Sequence, residues 1–246
     1  MCPKISLLQV SIDNLSMRET LDLVEQAIAE RKQIHHTVVN AGKIVALQQD
    51  TQLRKSVNEA DIINADGQAV VWASQFLGSP LKERVAGIDL MDALVKLAAV
   101  KNYKIYLFGA REEIVKKLAD IYTESYGSHI IAGYRNGYFS AADEPQIVND
   151  IAQSGAQMLF VAITSPKKEN FLYQYRNELQ DINFIMGVGG SFDVFAGKTK
   201  RAPLWMQKMG MEWFYRFLQE PQRMWKRYLV GNTKFLFLVL KEKFKK

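Results

Sequence analysis

The chain has 246 residues, 48% of them apolar, which suits one large α/β domain or a domain with an appendage. Its single cysteine, Cys2, excludes an intrachain disulfide, and with three histidines it makes no ligand set of zinc spacing. The net charge is +6, but residues 198–246 carry 13 Lys and Arg against 3 Asp and Glu, so everything before them is net acidic.

Residues 5–10 read as a strand, too short and wrongly flanked for a secretory signal. A helix over 16–32 opens on Ser16, with Glu19 three positions on as a capping box. Strand 34–40 places His35 and His36 on opposite faces and ends at Asn40. A helix follows over 42–59, then a short strand over 61–67 ending at Asp66-Gly67, then a helix over 68–78 stopped by Gly78. Residues 81–90 form a loop with Glu83 and Arg84, and the next helix runs from Asp89 to about Val100. Strand 103–109, helix 111–127, a strand and glycine turn over 129–139, helix 144–154 and strand 156–163 follow. Pro166 takes the N1 position of another helix. The last strand, within 182–190, runs into GVGGSFD.

This alternation implies right-handed βαβ crossovers and a mainly parallel sheet with helices on both faces, a Rossmann-like α/β fold. Ligands bind such sheets at the carboxyl ends of the strands. Asn40, Asp66, Gly109, the turn before Pro166 and residues 187–193 all lie where a strand has just ended. The charge change near residue 196 divides the chain into a core, 1–195, and a basic, aromatic-rich helical appendage, 196–246.

Asp66 has two readings: the N-cap of the following helix, which Asp favours, or a general base that takes a proton from an attacking hydroxyl. Asn40 would then orient a polar substrate group. Arg84 is either a surface residue or a clamp for phosphate or carboxylate. TSPKKE sets Lys167, Lys168 and Glu169 in the first turn of a helix whose amides suit an anion. Gly187, Gly189 and Gly190 let a ligand approach the backbone. Asp193, Lys198, Lys200, Arg201 and Arg216 follow, and guanidinium groups grip phosphate oxygens in pairs. The glycines form neither GxGxxG nor a P-loop, so no dinucleotide cofactor is indicated. The chain also lacks DxD, the usual metal clamp for a nucleotide diphosphate. No metal or other cofactor is therefore expected, the basic cluster stabilising the leaving group instead.

No apolar run reaches the ~20 residues of a spanning helix. FLFLVL, residues 235–240, is fenced by Lys234 and Lys241. Arg223, Lys226 and Arg227 fall on one helical face, at i, i+3 and i+4. Together with Trp225, Tyr228, Leu229, Phe235 and Phe237 they make either an ordinary packing helix or an interfacial helix on anionic lipid. Nucleic acid ranks last, because the body is acidic and no recognition motif is present. The expectation is a cytoplasmic protein that touches a membrane without crossing it.

The segments VVNAGKIV, NADGQAVV, ERVAGIDLM, YLFGA, SPKKE, GVGGSFDVFAGKTKRAP and GMEWFYRFLQEP together resemble the WecG/TagA/CpsF glycosyltransferases, glycosyltransferase family 26, over nearly the whole chain. The resemblance implies an inverting, metal-independent enzyme with a Rossmann-like core and a C-terminal appendage. Such an enzyme moves a sugar, N-acetylmannosamine in the better-known branches, from a nucleotide diphosphate to a polyprenyl-diphosphate-linked saccharide at the cytoplasmic membrane. It implies Asp66 as base, with Asn40, Arg84 and the nucleotide-side Asp193 in the pocket. Gly189 and Arg201 lie in the segment that carries the match, and Arg216, Arg223 and Arg227 would stand near the diphosphate. Two positions depart from the family pattern: Lys168 stands for a glutamine and Gly42 for an acidic residue. A homo-oligomer is compatible with this reading. The alternative is a non-catalytic nucleotide-sugar-binding protein at the membrane surface.

Overall fold

The computed structural model describes residues 3–245, apart from the side chains of Arg223, Lys226 and Arg227. The strand expected over 5–10 folds back on itself. β1 (Lys4–Leu7) turns through Leu8 and Gln9, at φ 50° and 68°, into antiparallel β2 (Val10–Asp13). The hairpin buries Leu7, Val10 and Ile12. Its Asp13 carboxylate accepts the Ile63 backbone N–H at 2.9 Å, which covers an outer strand that would otherwise expose free N–H groups.

α1 (Met17–Ala29) starts as its sequence directs, with Ser16 and Glu19 forming the reciprocal capping box. β3 (Ile34–Val39) follows. The single helix expected over 42–59 is two, α2 (Ala41–Leu47) and α3 (Thr51–Asn58), because Asp50 caps a new start by accepting the Leu53 N–H at 2.9 Å. β4 (Ile62–Ala65), α4 (Gln68–Phe76), α5 (Gly87–Lys101), β5 (Ile105–Gly109), α6 (Glu112–Tyr126), β6 (Ile131–Arg135), α7 (Glu144–Gln153), β7 (Met158–Ala162), α8 (Lys167–Gln174) and β8 (Phe184–Gly187) complete the alternation. Pro166 is the N-cap of α8, one position earlier than expected.

β3 to β8 form one parallel sheet in the order β4-β3-β8-β7-β5-β6. Alternate side chains serve opposite faces. Leu107, Phe160, Phe184 and Met186 pack with α1, α5 and α6. Phe108, Leu159, Val161 and Ile185 pack with α7 and α8. Helices thus cover both faces, and every strand of this sheet ends on the same side.

The last residues are helical too: α9 (Ser191–Phe195), α10 (Leu204–Lys208), α11 (Glu212–Gln219), α12 (Pro221–Trp225), a π-helical turn (Lys226–Val230) and α13 (Gly231–Lys243). α13 returns to the core. Its Phe235 and Val239 are buried with Ile44 and Leu47 of α2 and Val70 of α4. Burial of such a side chain contributes ~1.5–3 kcal/mol, so α13 is bound to the core by packing. No helix among the described residues is long and apolar enough to cross a membrane.

Candidate active site

β4 hands the chain to Asp66, whose backbone N–H donates to Val39 O at 2.9 Å. The Asp66 carboxylate accepts the Gly87 N–H at 3.1 Å, at the start of α5. It does not cap α4, whose N-cap is Gly67 with no side-chain hydrogen bond. Asp66 therefore caps not the helix that follows it but the first N–H of α5, and its half-buried carboxylate lies at the strand ends. Asn40, ending β3, caps α2 by accepting the Lys43 N–H at 3.0 Å. A Cβ on Gly67 would lie 3.2 Å from Asn40 Cβ, so the loops after β3 and β4 press together. Asn40 and Asp66 are brought to one spot.

Beside them lies a buried ionic cluster. Lys43 Nζ and Lys168 Nζ stand 2.9 and 3.2 Å from Glu169 Oε1. Both contacts are close but poorly directed, and the Glu169 oxygens lack well-formed hydrogen bonds. Burial works against the Glu169 charge, yet the two ammonium groups outweigh it and hold its pKa at about 2. Burial first, and then the Lys43 charge, pull Lys168 down to about 8, against the opposing pull of Glu169 and Asp66. The first turn expected to hold an anion is therefore mostly interior, with Lys168 and Glu169 buried. Only Lys167 turns outward, with Nζ 3.6 Å from the Phe139 ring centre.

The glycines after β8 serve the protein's own side chains more than open space. A Cβ on Gly187 would sit 2.4 Å from Lys168 Cε, and one on Gly190 2.5 Å from Arg216 Nη2. The close approach expected of a ligand is taken at Gly187 by Lys168 and at Gly190 by Arg216. Gly189, at φ +54°, has nothing within 4 Å of the place a Cβ would occupy. Arg216 reaches Gly190 from α11, and its Nε is buried without a hydrogen-bond partner. The Nε of Arg135, the last residue of β6, is likewise buried without a partner.

Arg84 and Arg201 are engaged. Arg201 grips Asp89 of α5 through both Nη atoms, at 2.5 and 2.9 Å, and its Nε donates to Glu212 at 3.0 Å. Arg84 donates to the other Glu212 oxygen at 3.0 Å. Hydrogen bonding to Asp89, then Glu212, raises the Arg201 pKa further, so it stays charged. These contacts latch α11 to the core; as they stand, neither arginine is an open anion clamp. Asp193 lies in α9 and pairs with Lys198 at 3.2 Å. The expectations for Arg223 and Arg227 fall on side chains outside the described residues.

Sequence reasoning missed Lys43, Glu212 and Asp89. Lys43 had a signal, lying three residues after the strand-end Asn40. Glu212 and Asp89 lie in the segments GMEWFYRFLQEP and ERVAGIDLM that carry the resemblance, but their pairing was hidden because their partners are distant in the chain. Also missed was an open depression of about 420 Å³ beyond β5 and β6, lined by Arg111, Glu112, Glu113, Asn136 and Tyr138. Among the described residues, no three His, Cys, Asp or Glu side chains gather into a metal-binding group.

The sequence model of the Glycosyl transferase WecG/TagA/CpsF family matches residues 5–246. A Bacillus subtilis protein (strain 168) is 37% identical over 186 residues, 76% of this chain and 71% of the relative. A Staphylococcus aureus protein (strain MW2) is 33% identical over 246 residues, 98% of this chain and 93% of the relative. Both are named N-acetylglucosaminyldiphosphoundecaprenol N-acetyl-beta-D-mannosaminyltransferase.

Proposed function

The chain belongs to the WecG/TagA/CpsF glycosyltransferase family, and from that premise we propose that it transfers N-acetylmannosamine or a related hexose from a nucleotide diphosphate to a polyprenyl-diphosphate-linked saccharide. The names of its relatives support this donor and acceptor class. The observation that carries the reading is that Asp66, after β4, and Arg216, reaching Gly190 after β8, lie at the same end of one sheet.

The proposed step is an inverting displacement. Asp66 removes the proton of the acceptor hydroxyl, whose oxygen attacks the anomeric carbon. The bond from that carbon to the diphosphate oxygen breaks on the opposite side, and the nucleoside diphosphate leaves with the electron pair. Arg216 meets the charge developing on the diphosphate, without a metal ion. Asn40 orients the sugar, Lys168 lies beside the base, and Asp193 serves the nucleotide. Arg223 and Arg227 add charge at the diphosphate once the appendage is closed. Arg84 and Arg201 act on substrate through α11, which they hold with Glu212. The division into a catalytic core and a membrane-associated appendage, and the site at the inner face of the membrane, belong to the same proposal.

The test is turnover of a radiolabelled nucleotide sugar with a lipid-linked acceptor. Asp66→Asn keeps the shape and removes the basicity, so the rate should fall by ~10²–10⁴-fold. Near wild-type turnover at saturating substrate would remove Asp66 as the base. Donor binding with no turnover by the unaltered protein would favour the non-catalytic alternative.

A further inference from the structure

The exposed aromatic surface is not confined to the appendage. α4 belongs to the core, and its Trp72 and Phe76, four residues apart on one helical face, are 52% and 48% exposed. Two segments of the appendage, one after α10 and one at the end of α13, border that face. A Cβ on Gly210, after α10, would lie 3.2 Å from the Trp72 ring. At the other end, Lys243 of α13 donates to Phe76 O at 2.9 Å and lies 5.2 Å from the centre of its ring. Leu204, Trp205 and Met209, in the segment leading to Gly210, and Leu240 and Phe244, flanking Lys243, are exposed as well. The charge around this face is one-sided. Lys208, Lys241, Lys243 and Lys245 are exposed at its flanks, Gln68–Phe76 contains no Asp or Glu, and Glu242 is the only acidic residue from 234 onward.

We propose that the outer face of α4, through Trp72 and Phe76, is a lipid-contacting element of the core, seated between α10 and the end of α13 on an anionic membrane surface. Aromatic side chains within a ring of lysines match both layers of such a surface, the apolar boundary and the charged headgroups. A two-fold contact of this face with itself in a second copy would set these lysines against their own counterparts. The inference rests on the reading that the acceptor is lipid-linked, and it adds a geometric link to the base. α4 begins two residues after Asp66. Gln68 and Trp72 are ~6 Å apart along the helix axis, and the extended Asp66–Gly67 step adds at most ~7 Å. Lipid contact at α4 therefore sets the base within reach of a group projecting from the headgroup layer.

The test uses the full chain with Trp205, Trp213 and Trp225 changed to Phe, leaving Trp72 as the emitter. With sedimenting vesicles of phosphatidylglycerol and phosphatidylcholine, brominated in the acyl chains, Trp72 emission should shift to the blue and be quenched. In the otherwise unaltered chain, the W72S/F76S pair should weaken association with phosphatidylglycerol vesicles by roughly tenfold or more. It should leave turnover of a soluble acceptor analogue intact. Protein that sediments with vesicles while Trp72 stays unquenched would overturn the inference and leave membrane docking standing. A dimer in solution that W72S/F76S converts to monomer would overturn it in favour of a second copy. Failure of the unaltered chain to bind vesicles would overturn both. Failure of turnover on every acceptor bears on the transferase reading alone.

Discussion

Gly187→Ala offers a direct test of the buried cluster. The new methyl carbon would lie 2.4 Å from Lys168 Cε, 2.6 Å from Cδ and 2.9 Å from Nζ. Carbon atoms in contact sit ~3.5–4.0 Å apart, so the lysine stem must move by about 1 Å or more. It has little room, being 6% exposed and tied to Glu169 at 3.2 Å. Overpacking of this kind costs ~1–3 kcal/mol. Losing one partner of a buried pair costs ~3–5 kcal/mol when the remaining charge is abandoned. Here Lys43 remains 2.9 Å from Glu169, which keeps the total toward the lower range. We expect Gly187→Ala to destabilise the fold by about 2 kcal/mol. In a Lys168→Ala background the clash is gone, and the same change should cost under ~0.5 kcal/mol. Urea unfolding followed by circular dichroism on the four proteins measures the coupling, with constant m-values as the control. Additivity within ~0.5 kcal/mol would refute the packing of Lys168 across Gly187.

Four further outcomes follow from the same geometry. Lys168 in the folded state releases its proton near pH 8, below its unfolded value of ~10.4. The unfolded chain then binds more protons across that window, so stability should rise with pH through it, and Lys168→Met should flatten the rise. Glu169 is held at about 2 against an ordinary 4.5, so its stabilisation is present above pH 4.5 and is lost as pH falls toward 2. Glu169→Gln should remove that acid-side loss in urea titrations, and an unchanged profile would contradict the ion pairing. Arg201→Ala releases Asp89 and Glu212 together. Because Arg201 is 24% and Asp89 42% exposed, the expected loss is only about 1 kcal/mol, but trypsin should cut faster at Lys198 and Lys200. EDTA should leave turnover unchanged, and abolition with recovery on adding Mg²⁺ or Mn²⁺ would refute the metal-free reading.

Much of the fold was legible because pattern and punctuation agree. Ser16 and Glu19 announce α1, and β4, β5 and β8 are apolar runs closed by a glycine or polar residue. The β1–β2 hairpin was not legible, because Leu8 and Gln9 take positive φ without the glycine or asparagine that signals such a turn. The break before α3 was missed because Asp50 looks like any polar helix residue until its capping hydrogen bond is seen. The site was legible to the level of position. A parallel sheet delivers every strand end to one side, and that was enough to gather Asn40, Asp66 and Gly187.

What sequence could not divide was the positive charge. A count of basic residues treats each cation as free, whereas the fold pairs them across long stretches of chain. Arg84 and Arg201 meet Glu212 and Asp89 over separations of 128 and 112 residues. Lys43 and Lys168 meet in one carboxylate, Glu169. A cation that already holds a carboxylate must give it up, at the cost of leaving that group buried and unpaired, before it can hold a phosphate. Arg216 pays no such cost at Nε, which is buried beside Gly190 with no acceptor. The case for a diphosphate site therefore rests on Arg216 of α11, whose guanidinium reaches Gly190 after β8, and not on the net charge of the appendage. Arg216→Ala should accordingly depress turnover more than the removal of any exposed lysine after residue 230.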